Sequence, residues 1–297
     1  IVYFEPKMIK VQTGQIVEFY SNSCSVVSQG KEFKCKIQGR INLVVGDLVE
    51  IETASNNYSY EGIVTKRLDR ATALYKSKDK AKKPIAANIT HIGILVTKNP
   101  KTNLEFIDKW ITISINASIE PFIIFNKIDL LPNDEFIEIQ KIYEDIGIKT
   151  FQISAKLYTN IDKLKKYLLK KTAIFVGNSG SGKSTLTSAI TGKKILSKAL
   201  SNNQGVHTTS LSTLYNIDEM QIIDSPGVRD IDIDHLNLKE IIRGFPEILN
   251  HSLNCVFPNC SHQIDEGCAV QAALKNGDIK ESRYNNFIFL SNQEKRR

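Results

Sequence analysis

Between residues 11 and 66, apolar and polar positions alternate in short stretches separated by glycine-containing turns. The stretches are GQIVEFY, CSVVSQG, EFKCKIQG, LVVGDLVEIE and YEGIVTKR. A period of two predicts half-buried β-strands, and five of them in so short a segment predict a small antiparallel barrel or sandwich. An OB-like barrel fits the number of strands, although the alternation alone is equally compatible with an SH3-like barrel.

From residue 91 the pattern changes to apolar runs that alternate with amphipathic segments. HIGILVT, PFIIFNK, KTFQISA, TAIFVG, STLYNID and MQIIDSPG predict strands, whereas LEFIDKWITISINAS, DEFIEIQKIYEDIG, IDKLKKYLLKK and GKSTLTSAITG predict helices. Such alternation is typical of a parallel sheet with crossover helices. After about residue 231 the chain is mixed and mainly helical around a cluster of cysteine and histidine.

The strand TAIFVG is followed by GNSGSGKST, which has the Gly-x4-Gly-Lys-Ser spacing of a phosphate-binding loop between a strand and a helix. Glycines allow backbone N–H groups to converge on a phosphate, and the helix N-terminus adds partial positive charge. We expect Lys183 to reach the β- and γ-phosphates and to act in catalysis, and Ser184 to bind Mg²⁺. The residues predicted to bind nucleotide here are Gly177, Asn178, Ser179, Gly180, Ser181, Gly182, Lys183, Ser184 and Thr185.

A second phosphate-side element follows about forty residues later, where the apolar strand MQIID ends. Asp224 is placed to hold Mg²⁺ through water, and the backbone N–H of Gly227 is placed to meet the γ-phosphate. A DxxG strand end is common by chance, but at this distance after a phosphate-binding loop it predicts a second part of the same site.

Guanine recognition is predicted from NKID at 126–129 and SAK at 154–156, each after an apolar strand. The Asp129 carboxylate can accept the N1 and 2-amino N–H groups of guanine, whereas adenine would leave it unpaired. We expect Asn126 and Lys127 to brace the loops and cover the ring, and the Ala155 N–H to meet guanine O6. The predicted base-binding residues are Asn126, Lys127, Ile128, Asp129, Ser154, Ala155 and Lys156.

The base-reading motifs precede the phosphate-binding loop, which reverses the order of ordinary GTPases. The carboxyl ends of parallel strands share one edge of a sheet, so the site does not depend on which strand comes first. Domain termini often lie close together, so permuting the chain is tolerated. The order therefore predicts a rewired chain with an intact site.

Three cysteines and a histidine follow the spacing Cys255-x4-Cys260-x-His262-x5-Cys268, with His251 as a reserve ligand. Three thiolates and an imidazole form a closed tetrahedral set suited to one structural zinc, which leaves no position for a reactive water. Two further cysteines at 24 and 35 fall in predicted strands and are expected to be buried and inert. This usage does not resemble a secreted disulfide framework.

The net charge of +7 arises largely from residues 69–90, which carry six basic and two acidic groups. This stretch could meet nucleic acid phosphates or could be a solvated connector, and composition does not separate the two. No apolar run reaches the ~18 residues of a membrane span, and no signal pattern is evident at the N-terminus. We therefore expect a cytoplasmic protein that does not enter a membrane.

Together these motifs resemble the circularly permuted, ribosome small-subunit-dependent GTPases (RsgA, also called YjeQ) over nearly the whole chain. The resemblance is carried by VGDLVE, KRLDR…AANIT, NKIDLL, GNSGSGKSTL, HTTS, DSPGVRD, FPE and the Cys/His cluster. With the pattern and charge along the chain, we expect a monomer with an OB-like β-barrel at 8–68, a basic connector at 69–90, a permuted P-loop GTPase domain at 91–230 and a helical zinc-binding domain at 231–297. Two small departures are ANIT, where the family tends to have an acidic fourth residue, and Val228, where a phenylalanine is usual.

The resemblance also implies the activity: GTP hydrolysis to GDP, slow alone and stimulated by the small ribosomal subunit, in late 30S maturation with rRNA binding. Val228 stands where Ras-like GTPases carry a water-positioning glutamine. GVHTTS at 205–210 resembles the first switch loop, so His207 is the candidate for that role, although an exposed loop histidine is an equally weighted interpretation. Thr209, or less favourably Thr208, would close on Mg²⁺ with Ser184 and Asp224.

Two alternatives differ in class. In one, the chain is a nucleotide-gated RNA- or ribosome-binding module whose hydrolysis is incidental. In the other, it is an unrelated P-loop ATPase, which Asp129 disfavours. A linked hypothesis is that loops ordered by the γ-phosphate reposition the Cys/His region, since the chain runs toward it directly from the Asp224–Gly227 loop.

Overall fold

A computed structural model of the 297-residue chain describes residues 10–20, 22–53, 60–78, 81–130, 134–192, 212–233 and 235–294. Thirteen strands lie within these described residues. In chain order they are β1 (Lys10–Phe19), β2 (Ser23–Ser28), β3 (Lys31–Ile37), β4 (Leu48–Thr53), β5 (Gly62–Arg67), β6 (Ala73–Lys78), β7 (Ala81–Ala87), β8 (His91–Val96), β9 (Glu120–Phe125), β10 (Lys149–Gln152), β11 (Thr172–Val176), β12 (Thr213–Ile217) and β13 (Met220–Asp224).

The same residues contain eight α-helices and two short 3₁₀ helices, the latter at Pro226–Asp230 and Ile242–Gly244. None of the described helices is long and apolar enough to cross a membrane. The α-helices are α1 (Leu104–Asn116), α2 (Asp134–Glu144), α3 (Ile161–Leu168), α4 (Lys183–Thr191), α5 (Leu238–Ile241), α6 (Pro246–Ser252), α7 (Ala269–Asn276) and α8 (Glu281–Glu294).

The chain divides into two compact units, and the boundary falls inside β11. The first unit comprises residues 1–90, 168–174 and 198–230, and the second comprises 91–167, 175–197 and 231–297. The first therefore contains β1 to β7, β12 and β13, and the second contains β8 to β10 with most of the helices.

In the first unit, β1 to β5 form a closed barrel in the order β1-β2-β3-β5-β4, with β4 returning to pair with β1. All neighbouring strands are antiparallel except β3 and β5, which are parallel. This strand order is that of the OB fold, so the pairing decides between the two barrels that alternation left open. Its interior is filled by apolar side chains that are fully buried, among them Ile16, Val26, Val49, Ile51 and Val64.

Residues 69–90, predicted as a connector, contain an antiparallel hairpin formed by β6 and β7. The lysine-rich composition of this stretch does not indicate strands. Leu74, Ala86 and Ala87 are nevertheless buried. The hairpin is attached to the barrel by Arg70, whose guanidinium donates two hydrogen bonds of 2.6 and 2.8 Å to the buried Asp47 carboxylate. The two described strands of this stretch are therefore folded structure rather than a solvated linker.

One strand, β12, departs from the parallel sheet that the alternation after residue 91 predicts. It pairs antiparallel with β13, while β13 pairs parallel with β11. Only two residues, Asp218 and Glu219, join β12 to β13, and so short a connection permits only an antiparallel pair. The other edge of β12 is antiparallel to barrel strand β1, through Glu18 and Thr213.

In the second unit, β8, β9 and β10 are parallel neighbours, and every residue of β8 is buried. Gly93 is required in β8, because a Cβ there would lie 2.7 Å from ring atoms of Phe122 and of Phe175. All four predicted crossover helices, α1 to α4, are present in the predicted order, and α1 packs against α8 from the C-terminal region.

A buried charged cluster joins these helices. The Arg283 guanidinium on α8 is 1% exposed and donates to Asp108 on α1 at 2.6 Å and to Glu247 on α6 at 2.7 Å. Asp108 also accepts hydrogen bonds from Tyr143 at 2.8 Å and Asn286 at 2.6 Å. Because each charge is paired and hydrogen-bonded, removing one partner would leave an uncompensated buried charge.

We expect Arg283→Met to lower the free energy of unfolding by about 3–5 kcal/mol, because the buried Asp108 and the half-buried Glu247 would lose their cation. The measurement is urea denaturation followed by fluorescence of Trp110, the single tryptophan, which is buried on the same helix as Asp108.

The control is Lys66→Met, which removes an ion pair to Glu50 whose side chains are 63% and 33% exposed. Exposed pairs contribute less than about 1 kcal/mol. Equal shifts for the two variants would contradict the buried-charge explanation.

Candidate functional site

The predicted phosphate-binding loop lies between the end of β11 at Val176 and the start of α4 at Lys183. Two of its glycines have no substitute. Gly182 has φ +94°, and a Cβ on it would lie 2.5 Å from Asn126 Nδ2. A Cβ on Gly177 would lie 2.6 Å from Ser181 Oγ. The loop is therefore compact because its backbone approaches neighbouring groups more closely than side chains allow.

The Lys183 ammonium lies against this loop. Its Nζ donates to the carbonyl oxygens of Gly177 at 2.5 Å and Asn178 at 2.9 Å. These contacts hold the cation beside the first turn of α4, where helix N–H groups already favour an anion. Ser184 follows in the same turn and is half-buried, whereas Thr185 is exposed.

The Asn126 carboxamide, at the end of β9, connects three loops. It is 2% exposed, its Nδ2 donates to the Ser181 carbonyl at 2.9 Å, and its Oδ1 accepts the Ala155 N–H at 3.0 Å. Its backbone N–H also donates to the Val96 carbonyl at 2.9 Å, at the end of β8. The predicted base-reading segments and the phosphate-binding loop therefore meet at one residue, as the shared strand edge required.

The rest of NKID forms a tight turn after Asn126. Lys127 has φ +66°, and its Nζ donates to the Asn99 carbonyl at 2.7 Å. The Leu130 N–H closes the turn on the Lys127 carbonyl at 3.1 Å. Ile128 is half-buried and Asp129 is exposed. The turn thus leaves the predicted base-reading carboxylate at the surface.

The SAK segment is held from two sides. Ser154 is fully buried, its backbone pairs with Thr159, and its Oγ accepts the Leu157 N–H at 3.1 Å. The Ala155 N–H, which we expected at guanine O6, donates instead to Asn126 within the protein. Lys156 is exposed.

Sequence reasoning missed the loop after β8. The Thr97 hydroxyl donates to the Pro100 carbonyl at 2.6 Å, and the neighbouring Asn99 carbonyl receives Lys127. A Cβ on Gly180 would lie 3.4 Å from Pro100, so this loop also borders the phosphate-binding loop. The sequence does contain a signal for this loop, because Asn99-Pro100 follows an apolar strand and an Asn-Pro pair favours a turn.

The DSPG segment belongs to the first unit. Asp224 is exposed at the end of β13, and Gly227 lies in the 3₁₀ helix that follows. A Cβ added to Gly227 would lie 3.3 Å from Ile85 of β7. Val228 is 3% exposed, so an apolar buried side chain stands where a water-positioning group would be needed. His207, Thr208 and Thr209 lie outside the described residues.

The predicted zinc ligands come together in the C-terminal region. The ligand atoms of Cys255, Cys260, His262 and Cys268 all lie within 4.8 Å of one another, and the last three residues are buried. His262 Nδ1 is 3.6 Å from the Cys255 Sγ and 3.8 Å from the Cys268 Sγ. His251 is not part of this group. Three thiols and one imidazole in this arrangement could hold a metal ion.

Neighbouring groups orient these ligands. The Cys268 Sγ caps α7 and accepts the Gln271 N–H at 3.4 Å. The His262 carbonyl accepts from Gln271 Nε2 and from the Tyr284 hydroxyl, both at 2.8 Å. Burial acts to raise the pKa of the Cys255 thiol, but hydrogen bonds from N–H groups at the start of α7 outweigh burial and lower that pKa. Burial raises the pKa of Cys260 to about 12. The cluster is therefore braced by hydrogen bonds as metal ligands commonly are.

The helices beyond the cluster contribute apolar side chains to the core. Ile279 and Phe287 are each 1% exposed, and Tyr284 and Ile288 are half-buried. In the barrel, burial raises the pKa of Cys24 and of Cys35 to about 12, so both thiols are in their unreactive form at neutral pH, as predicted.

Comparison with known proteins identifies the family. The sequence profile described as RsgA GTPase matches residues 67–234. This chain belongs to the RsgA GTPase family. A small ribosomal subunit biogenesis GTPase RsgA of Actinobacillus pleuropneumoniae is 35% identical to it over 295 residues, covering 94% of this chain and 84% of the relative. The protein of the same name from Haemophilus influenzae is also 35% identical, covering 93% and 83%.

Two solved structures agree with the fold. The crystal structure of YjeQ from Thermotoga maritima has a TM-score of 0.77 and 27% identity, covering 97% of this chain and all of that one. YloQ, described as a circularly permuted GTPase, has a TM-score of 0.76 at 21% identity, covering 97% and 96%. Membership makes the chain a GTP-hydrolysing enzyme, and the motif order is confirmed as a circular permutation rather than chance.

We expect Asn126→Ala to weaken binding of a fluorescent GDP analogue about ten- to a hundredfold. The substitution leaves the buried Ser181 carbonyl and Ala155 N–H without their partner, and each such loss costs about 1–3 kcal/mol. Asn285→Ala, which truncates an exposed asparagine on α8, is the matched control. Unchanged affinity in Asn126→Ala would contradict the bridging role.

Proposed function

We propose that this GTPase acts in late maturation of the small ribosomal subunit, binds rRNA there, and hydrolyses GTP to GDP and phosphate faster on that subunit. The observation that supports binding of a guanine nucleotide is the hydrogen bonding of Asn126, which joins the proposed base-reading turn to the proposed phosphate-binding loop in one unit. The names of the curated relatives support the partner.

The nucleotide is proposed to lie along the edge where these loops meet. Asp129 would accept the guanine N–H groups, with Lys127 beside the ring, and Lys183 would exchange part of its carbonyl contacts for phosphate oxygens. For the Ala155 N–H to donate to guanine O6 as well, it would have to share its hydrogen between O6 and the Asn126 Oδ1 that accepts it now. The full proposed set is Asn126, Lys127, Ile128, Asp129, Ser154, Ala155, Lys156, Gly177, Asn178, Ser179, Gly180, Ser181, Gly182, Lys183, Ser184, Thr185, Thr209, Asp224 and Gly227.

Catalysis is proposed to use His207 to position the attacking water, since Val228 is buried and apolar. Ser184, Thr209 and Asp224 would hold Mg²⁺, and the fit rests on a half-buried hydroxyl at the start of α4 and an exposed carboxylate at the end of β13. When bound, Mg²⁺ neutralises charge on the β- and γ-oxygens.

The metal of the C-terminal cluster is proposed to be one structural zinc. Cys255, Cys260, His262 and Cys268 supply a complete tetrahedral set. The loop from 253 to 267 exposes several apolar side chains and has few buried ones, so metal binding would supply the folding energy that a core supplies elsewhere.

The domain boundaries 8–68, 69–90, 91–230 and 231–297 remain part of this proposal, as do a monomeric state and a cytoplasmic location. The family and the names of its relatives support a protein that works where ribosomes are assembled.

The test is the GTP turnover rate alone, with purified small subunits, and with large subunits as the control. We expect strong stimulation by small subunits only, since the proposed function places the reaction on that subunit. His207→Ala should keep nucleotide affinity and lose the stimulated rate. Full subunit binding without stimulation would favour a binding module with incidental hydrolysis, and a His207→Ala rate equal to wild type would remove that residue from the mechanism.

Elemental analysis of the purified protein should find one zinc per chain. Cys260→Ser should lower this content and expose the region around α7 to proteolysis, because three ligands no longer close the site. Cys24→Ser, a buried cysteine of the barrel, is the control and should keep its zinc. Folded, unchelated protein without zinc would contradict the assignment.

A further inference from the structure

The loop that carries the Cys/His cluster exposes large apolar side chains. Within residues 253–267, four of them are at least half exposed: Leu253 at 79%, Val256 at 67%, Phe257 at 50% and Ile264 at 95%. Soluble proteins seldom leave several such groups close together at the surface unless that surface binds something. None of the four offers a metal ligand, so the metal site does not account for them.

The four side chains belong to one small area of the fold. Each lies within two positions of a residue of the Cys/His cluster, and the ligand atoms of that cluster all lie within 4.8 Å of one another. Because consecutive Cα atoms are about 3.8 Å apart, the loop cannot carry these side chains far from the cluster. We call the four residues the apolar patch.

Hydrogen bonds fix the backbone on the first side of the patch. The Cys260 N–H donates to the Phe257 carbonyl at 3.1 Å, which closes a turn with Pro258 at its second position. The Val256 N–H donates to the Gly267 carbonyl at 3.3 Å, so the two ends of the loop are joined beside this turn.

A second turn holds Ile264. The Asp265 carboxylate accepts the Ser261 N–H at 2.9 Å and also accepts the Ser261 hydroxyl. The patch is therefore presented by a backbone that is already ordered. Groups held in this way lose little conformational freedom when a partner binds, which favours affinity.

The charge of the loop distinguishes between classes of partner. Residues 253–267 contain no lysine or arginine and carry two carboxylates, Asp265 and Glu266, in a chain whose net charge is +7. RNA phosphates and anionic lipid headgroups are bound by basic side chains, which this loop lacks. A protein surface with an apolar pocket and basic side chains around it complements both the patch and the carboxylates.

We propose that the apolar patch docks on a protein of the small ribosomal subunit, in an apolar pocket bordered by basic side chains. The subunit as the source of that protein rests on the proposed function. The chemistry of the partner rests on the exposed apolar side chains and on the charge of the loop. Contacts to rRNA phosphates would come from other parts of the chain.

The experiment measures the affinity of the full chain for purified small subunits and for rRNA freed of protein from the same preparation. Leu253→Ser/Ile264→Ser should bind intact subunits about tenfold or more weakly, because a few buried side chains carry most of the binding energy of an interface. Its affinity for the freed rRNA should equal that of the wild type. Ile137→Ser/Leu169→Ser, which changes an isoleucine and a leucine exposed elsewhere, is the matched control and should bind subunits as the wild type does.

Glu266→Lys tests the charge of the partner without changing an apolar group. We expect this variant to bind intact subunits more weakly at low salt, because basic side chains around the pocket would repel the new lysine. A phosphate partner would instead be bound more tightly. Unchanged or tighter binding would overturn the proposal, and this test stands even if the double serine variant unfolds more easily.

Equal urea unfolding curves and equal metal contents show that the double serine variant keeps the fold. The proposal is overturned if that variant binds intact subunits as the wild type does. It is also overturned if the variant loses affinity equally for the freed rRNA, because the patch would then contact RNA. A wild type that small subunits neither bind nor stimulate would defeat the proposed function and this proposal together. Stimulation of the wild type with unchanged affinity of the double serine variant would defeat this proposal alone.

Discussion

The loops proposed to hold the nucleotide in the second unit are joined by two hydrogen bonds of one carboxamide. Asn126 is buried at the end of β9, where its donor reaches the phosphate-binding loop and its acceptor reaches the SAK segment. An asparagine can do both at once because it carries a donor and an acceptor on one planar group. Gly182 completes the fit, since any side chain there would collide with that amide.

This arrangement explains why the permuted order is compatible with an intact site. β9 and β10 are parallel, so their carboxyl ends lie at the same edge whichever is made first. The hydrogen bond from Asn126 to Ser181 spans 55 positions of the chain, and the one to Ala155 spans 29. These contacts form because the loops lie at the same edge of the sheet, and the partners do not need to be close in sequence.

The C-terminal region is bound to the GTPase helices by charge as well as by apolar packing. Arg283 of α8 reaches Asp108 of α1, so a helix that follows the Cys/His cluster is held to a helix that precedes the predicted base-reading turn. The hypothesis that the γ-phosphate repositions the Cys/His region therefore has a physical condition. Any movement of α8 relative to α1 must separate a buried ion pair, which is unfavourable unless both charges find new partners.

The sequence by itself determined the elements whose chemistry is local. The glycine spacing before Lys183, the alternation in the barrel strands and the spacing of Cys255, Cys260, His262 and Cys268 each predicted structure that the fold contains, because turn geometry, strand period and ligand type are properties of neighbouring residues. Only the tertiary structure decided what depends on distant partners. The parallel β3–β5 pair made the barrel an OB fold, the pairing of β12 with β1 and β13 broke the parallel pattern, and Ala155 bonded Asn126. The hairpin at 69–90 was not predicted because its sequence is rich in lysine. Its strands are stabilised by burial of Leu74 and Ala86 against the rest of the unit, and composition does not show such burial.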